Sequence, residues 1–180
     1  MNLSPIAVLT GLILGTIFLP LVLLPQPVMR GLRAFPRSLW AGRILATIAM
    51  FWITWIVMHA GINWVEDHHT LSWLLALAGW LLIILFMDEL LAVRALGGIL
   101  LIAPLPILDA AFMNDGAARL VMTVLAYIMV LQGIALVWSP YLFRQVVERH
   151  LTSSGRCRLV GAAGVLLALL LVLLGLLIYR

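Results

Sequence analysis

The chain has 180 residues, 65% of them hydrophobic and only 10% charged, with a net charge of +4 and a mean hydropathy of +1.20. A soluble domain is nearer half apolar and a quarter charged, so this composition excludes one and calls for a bilayer as solvent. The basic balance does not point to nucleic acid, because the arginines sit at the ends of apolar runs and no basic run extends beyond those flanks.

The first apolar run predicts a helix from about Leu3 to Leu24. No positive region or small-residue cleavage site accompanies it, so it reads as a retained span. Gly11 and Gly15 form a GxxxG pair that lets another helix approach closely, and Pro20 is expected to kink the last turn. Next comes the segment Pro25–Arg43, carrying Arg30, Arg33, Arg37 and Arg43, expected to be partly helical and to lie in the interface. A second helix is predicted over Leu39–Ala60. The loop Gly61–Thr70 (GINWVEDHHT) follows, then a third helix over Leu71–Met87 that stops at Asp88-Glu89.

The fourth span begins between Leu90 and Gly98 and ends near Met113. Gly97-Gly98 and the APLP motif at Ala103–Pro106 weaken it, since Pro104 and Pro106 each remove a backbone donor. A kinked or locally unwound span packed against neighbours is expected, because in hydrocarbon the orphaned carbonyls need partners. After Asn114-Asp115-Gly116 a fifth helix covers about Ala118–Ser139. A second basic segment, Pro140–Arg158, carries Arg144, Arg149, Arg156 and Arg158, and its Leu142–Leu151 stretch fits an amphipathic interfacial helix. The sixth helix is predicted over Leu159–Tyr179.

The expected fold is therefore an all-α, polytopic membrane bundle of about six spans in one domain. Its parts are a hairpin over 3–60, central spans over 71–113 and a second hairpin over 118–179. The two hairpins share layout and orientation, the pattern either of a parallel repeat or of a common topological grammar. Alternating the spans places nine arginines on one side, the eight above plus Arg94, against Arg119 and Arg180 on the other. By the positive-inside rule the nine face the cytoplasm and both termini lie outside, periplasmic in a bacterium. Arginine without a single lysine hints at a GC-rich bacterial coding sequence.

The later hairpin carries Gly133, Pro140 seven residues on, Phe143-Arg144, and Arg158 ahead of Gly161 and Gly164; the earlier one shares Phe35-Pro36 followed by Ser38-Leu39. In these features the C-terminal hairpin resembles the YjeT-like family of short two-helix bacterial inner-membrane proteins. That resemblance implies an inner-membrane location and no particular chemistry.

Several groups are candidates for function. Glu66, Asp67, His68 and His69 are metal-ligand types in one loop, although adjacent histidines need a third ligand from elsewhere, and a solvated loop is the plainer reading. His59 ends a helix face bearing Trp52 and Trp55, surroundings in which a haem or pigment could sit, though no cofactor is predicted and covalent haem attachment is excluded by the lack of CxxCH. Asp88, Glu89 and Arg94 suggest an ion pair at the membrane surface. Asp109, just beyond the Pro104/Pro106 break, and Gln132, mid-span in the fifth helix, outline a polar pathway. The arginines Arg30, Arg33, Arg37, Arg43, Arg144, Arg149, Arg156 and Arg158 are expected to set topology and meet lipid headgroups. Cys157, between Arg156 and Arg158, reads as an inert interfacial thiol.

No nucleophile elbow, Walker loop, HExxH or dinucleotide motif is present, so no catalytic residue is assigned. The expected role is a non-enzymatic accessory or scaffold subunit of a larger membrane complex. Its expected partners are the lipid bilayer and other membrane subunits or itself, not nucleic acid. The alternative is a small transporter or ion-conducting subunit built on the broken fourth span.

Overall fold

The computed structural model describes residues 3–87, 90–114, 116, 118–151 and 153–179, with the backbone alone at His150. Asp88, Glu89, Asp115 and Arg180, named above, lie outside the described residues.

All regular elements among the described residues are helical. In chain order they are α1 (Leu3–Leu23), α2 (Pro25–Ala34), a 3-10 turn (Phe35–Arg37), α3 (Leu39–Met58), α4 (Asn63–Asp67) and α5 (His69–Phe86). There follow α6 (Leu91–Ile102), α7 (Pro104–Phe112), α8 (Arg119–Trp138), α9 (Tyr141–His150) and α10 (Ser154–Leu177). Counting α6 and α7 as one, six segments are long and apolar enough to cross a bilayer. About 20 residues at 1.5 Å each match a hydrocarbon core of about 30 Å.

Local chemistry sets the boundaries. α10 starts at Ser154, ahead of the expected Leu159, because Ser153 caps it by accepting the Arg156 backbone N–H at 3.3 Å. The fourth span is broken at Ala103 but not unwound. Ala103 keeps helical dihedrals and its N–H donates to Ile99 O at 2.9 Å. Pro104 and Pro106 then fall in the first turn of α7, where an intrahelical N–H is not needed.

The packing is led by small residues. α1 and α10 run antiparallel in the most extensive helix contact of the molecule. Along α10 the buried positions Cys157, Gly161, Gly164, Ala168, Leu171 and Gly175 alternate spacings of four and three, the period of a left-handed helix pair. A Cβ on Gly161 would come within 2.8 Å of Leu21 Cβ, and one on Gly175 within 2.6 Å of Val8 Cγ2. Ser4 Oγ fastens the far end by donating to Gly175 O at 2.7 Å.

At that same end, Leu3, Ala7, Ile107, Ala110, Ala111, Met122 and Leu171 form a buried core shared by α1, α7, α8 and α10. The α6–α7 span is the most enclosed, with 44% of its apolar window buried against 6% for α5. It packs on α8 through Gly97 and Gly133, and on α3 through Gly42, whose Cβ would stand 2.9 Å from Ala92 N. α5 touches mainly α3, at the edge. α1 makes no extended contact with α3, nor α8 with α10.

Candidate functional site

The two basic segments, far apart in sequence, are folded against each other. In α2 the apolar side chains Val28, Met29 and Leu32 occupy one face while Arg30 and Arg33 take the other, with Arg37 just beyond. In α9, Phe143 and Val147 are one turn apart, with Leu151 next in line just past the helix. Both apolar faces meet over Leu21 and the buried Cys157, so α1 and α10 form the floor of this small core. The rings of Phe35 and Phe143 close it at a centroid distance of 5.5 Å. The driving force is the one that folds any amphipathic helix onto apolar surface.

The consequence is a single cationic pad at one end of the bundle. Arg30, Arg33, Arg37, Arg144, Arg149, Arg156 and Arg158 are all exposed on it, and Arg43 is exposed at the start of α3. Glu148 sits one turn after Arg144 and accepts from its Nε at 2.7 Å, raising the Arg144 pKa by hydrogen bonding and by charge. Between α9 and α10 an open cleft of about 370 Å³ is lined by Arg149 from α9 and by Arg156, Leu159 and Val160 from α10. No sequence signal indicated this cleft, because it depends on where α9 ends against the first turns of α10.

The remaining candidates are scattered. Glu66 and Asp67 lie in α4 and His68 and His69 follow it, all exposed. His68 stacks on its own neighbour Trp64 at 5.3 Å, with Nδ1 3.2 Å from Trp64 O. Among the described residues no three His, Cys, Asp or Glu side chains gather in a way that could hold a metal ion. His59 ends α3, exposed, with Nδ1 2.8 Å from Trp55 O and its ring 4.3 Å from that indole. An apolar cleft of about 680 Å³ beside it is lined by Thr47, Ile48, Phe51, Trp52 and Trp55, and His59 is not part of that lining.

Asp109 is exposed on α7, Pro104 is buried and Pro106 half-buried. Gln132 is exposed beside Gly133, which packs at the level of Gly97 and Leu101. Asp109 lies eight residues beyond Leu101, about 12 Å along the span, so the two polar groups do not share a level. Arg94, in the first turn of α6, keeps its Nε buried with no hydrogen-bond partner among the described residues, and Ser72 Oγ is in the same condition. Cys157 is buried, with Sγ 3.8 Å from Leu21 O, and is not an exposed thiol.

Six apolar spans joined by short connections, with an arginine pad at one end, define an all-α polytopic integral membrane protein. Compared with protein-family models, curated proteins and solved structures, the chain matches none.

Proposed function

We propose that the chain is a non-enzymatic subunit of a larger membrane assembly, acting through its helix surfaces. We place it in a bacterial inner membrane, with the arginine pad cytoplasmic and both termini periplasmic. The C-terminal hairpin's likeness to the YjeT-like family agrees with that location, as does the nine-to-two arginine asymmetry.

One observation carries the reading. Gln132 is exposed on α8, six residues before the helix ends at Trp138, which sets it about 9 Å inside the span. No described residue hydrogen-bonds its carboxamide. A bare amide in hydrocarbon costs several kcal/mol on a scale where nothing else can bond to it. An interhelical hydrogen bond from another chain removes that cost and adds roughly 0.6–2 kcal/mol. Neighbouring exposed residues Ile128 and Leu131 supply an apolar surround for such a contact.

The test is purification of the full chain in a mild detergent, with mass measured by light scattering. A stoichiometric partner or a second copy is expected, and Gln132→Leu should reduce its occupancy severalfold while Gln132→Asn retains much of it. A wild-type chain that runs alone, together with solute uptake lost in Asp109→Asn, would instead establish a transporter.

A further inference from the structure

We propose that the cleft between α9 and α10 is a binding site for an anionic glycerophospholipid, phosphate toward Arg149 and Arg156 and an acyl chain along Leu159 and Val160. This goes beyond a general attraction of the pad to the membrane surface, and it does not depend on whether the chain has protein partners.

Three features point to that ligand. First, the two arginines come from separate elements, the last turn of α9 and the first turn of α10, and line one opening. Planar guanidinium forks fit phosphate oxygens in bidentate geometry, and two of them match a phosphodiester carrying one negative charge. Arg149 also makes an interaction within the chain; five N–H donors allow it to serve that contact and a phosphate together.

Second, the cleft's remaining lining is aliphatic. Leu159 and Val160 are the first apolar pair of α10 after its arginines, so the cleft spans the depth at which headgroups give way to acyl chains. A free phosphate would use only the two arginines, whereas a phospholipid also covers the aliphatic pair.

Third, among the described residues the cleft has no acidic lining. The pad's described carboxylate, Glu148, is engaged by Arg144 at 2.7 Å. Arg144 is not among the residues that line the cleft.

The experiment uses the full chain in a neutral detergent and follows thermal unfolding during titration with short-chain phosphatidylglycerol, short-chain phosphatidylcholine or glycerol phosphate. Phosphatidylglycerol is expected to raise Tm saturably. Arg149→Gln and Arg156→Gln should each weaken its apparent affinity roughly tenfold, the size of one lost charge-assisted hydrogen bond, while Arg33→Gln, on α2, should leave it within twofold. Should Arg149→Gln fail to fold, Arg156→Gln alone gives the same reading. Equal stabilisation by phosphatidylcholine would overturn the charge recognition, and equal stabilisation by glycerol phosphate would assign the cleft to free anions instead. An unchanged affinity in both arginine variants would overturn the site.

Discussion

α10 and α5 are both apolar around nearly their whole circumference, yet the chain treats them in opposite ways. α10 is half of the tightest helix pair in the molecule, while α5 lies at the edge with only 6% of its apolar window buried. Hydrophobicity cannot make this choice, because lipid tails are as apolar as leucine and give no drive for one helix to leave lipid for another. Shape makes it. The Cys157, Gly161, Gly164, Ala168 and Gly175 stripe lets the α1 backbone come close enough for continuous van der Waals contact. α5 offers Trp73, Leu74, Leu77, Leu81 and Leu85 to its surroundings, all exposed.

The largest effect is expected from filling the seam between α1 and α10. A Cβ at Gly164 would overlap the Phe18 ring, so Gly164→Val forces α1 and α10 apart. The expected loss is about 3 kcal/mol, the upper range for overpacking a close contact. Unfolding in a denaturing-detergent titration measures it. Phe18→Ala in the same chain should restore part of the loss, since it removes the group that the new side chain meets. A loss below that of an ordinary lipid-facing substitution would show that α1 and α10 do not depend on this approach.

How far these features were legible in the sequence depends on their range. The spans, the amphipathic stretch at Leu142–Leu151 and the arginine asymmetry follow from local pattern, and the helices lie where that pattern puts them to within a few residues. The start of α10 was the largest displacement, because apolarity marks Leu159 whereas the Ser153 cap decides the true start. Helix partners were not legible from chain order. Adjacent spans joined by a basic linker say nothing of which helices pack, and α1 pairs with α10, where the small residues are. The alternation of four and three from Cys157 to Gly175 was the available signal, stronger than the Gly11/Gly15 pair on its own. Gly11 is tightly packed, with a Cβ position 2.8 Å from Ala168 O, while Gly15 makes only an ordinary 3.7 Å contact. The same limit applies to the pad. Each set of arginines was visible, but their union depends on Phe35 meeting Phe143, a contact between residues remote in sequence.

A moderate effect is expected where α5 does hold on. Trp80 Nε1 donates to Thr47 Oγ1 at 3.0 Å, joining α5 to α3. Trp80→Phe keeps most of the ring and removes the donor, so it should cost about 0.6–1 kcal/mol, as single interhelical hydrogen bonds do in membranes. Thr47→Val should cost a similar amount, and the double variant little more than either one. Full additivity in that cycle would mean the two groups are not coupled.

The smallest effect is expected at Gly79, and it tests the comparison from the permissive side. Gly79 lies in the middle of α5, and a Cβ there would stand 3.6 Å from Met50 Cε, an ordinary van der Waals distance to the end of a flexible side chain. Gly79→Ala therefore meets no backbone. It also removes a glycine from a helix interior, where glycine costs roughly 0.5–1 kcal/mol relative to alanine in water. Stability should change by less than about 0.5 kcal/mol, or rise slightly, in the titration used for Gly164→Val. Both are glycines in apolar spans, and only at Gly164 would the new side chain overlap a neighbouring helix. A loss at Gly79 comparable to that at Gly164 would mean α5 is gripped as closely as α10, and the distinction between glycine-lined and bulky faces would fail.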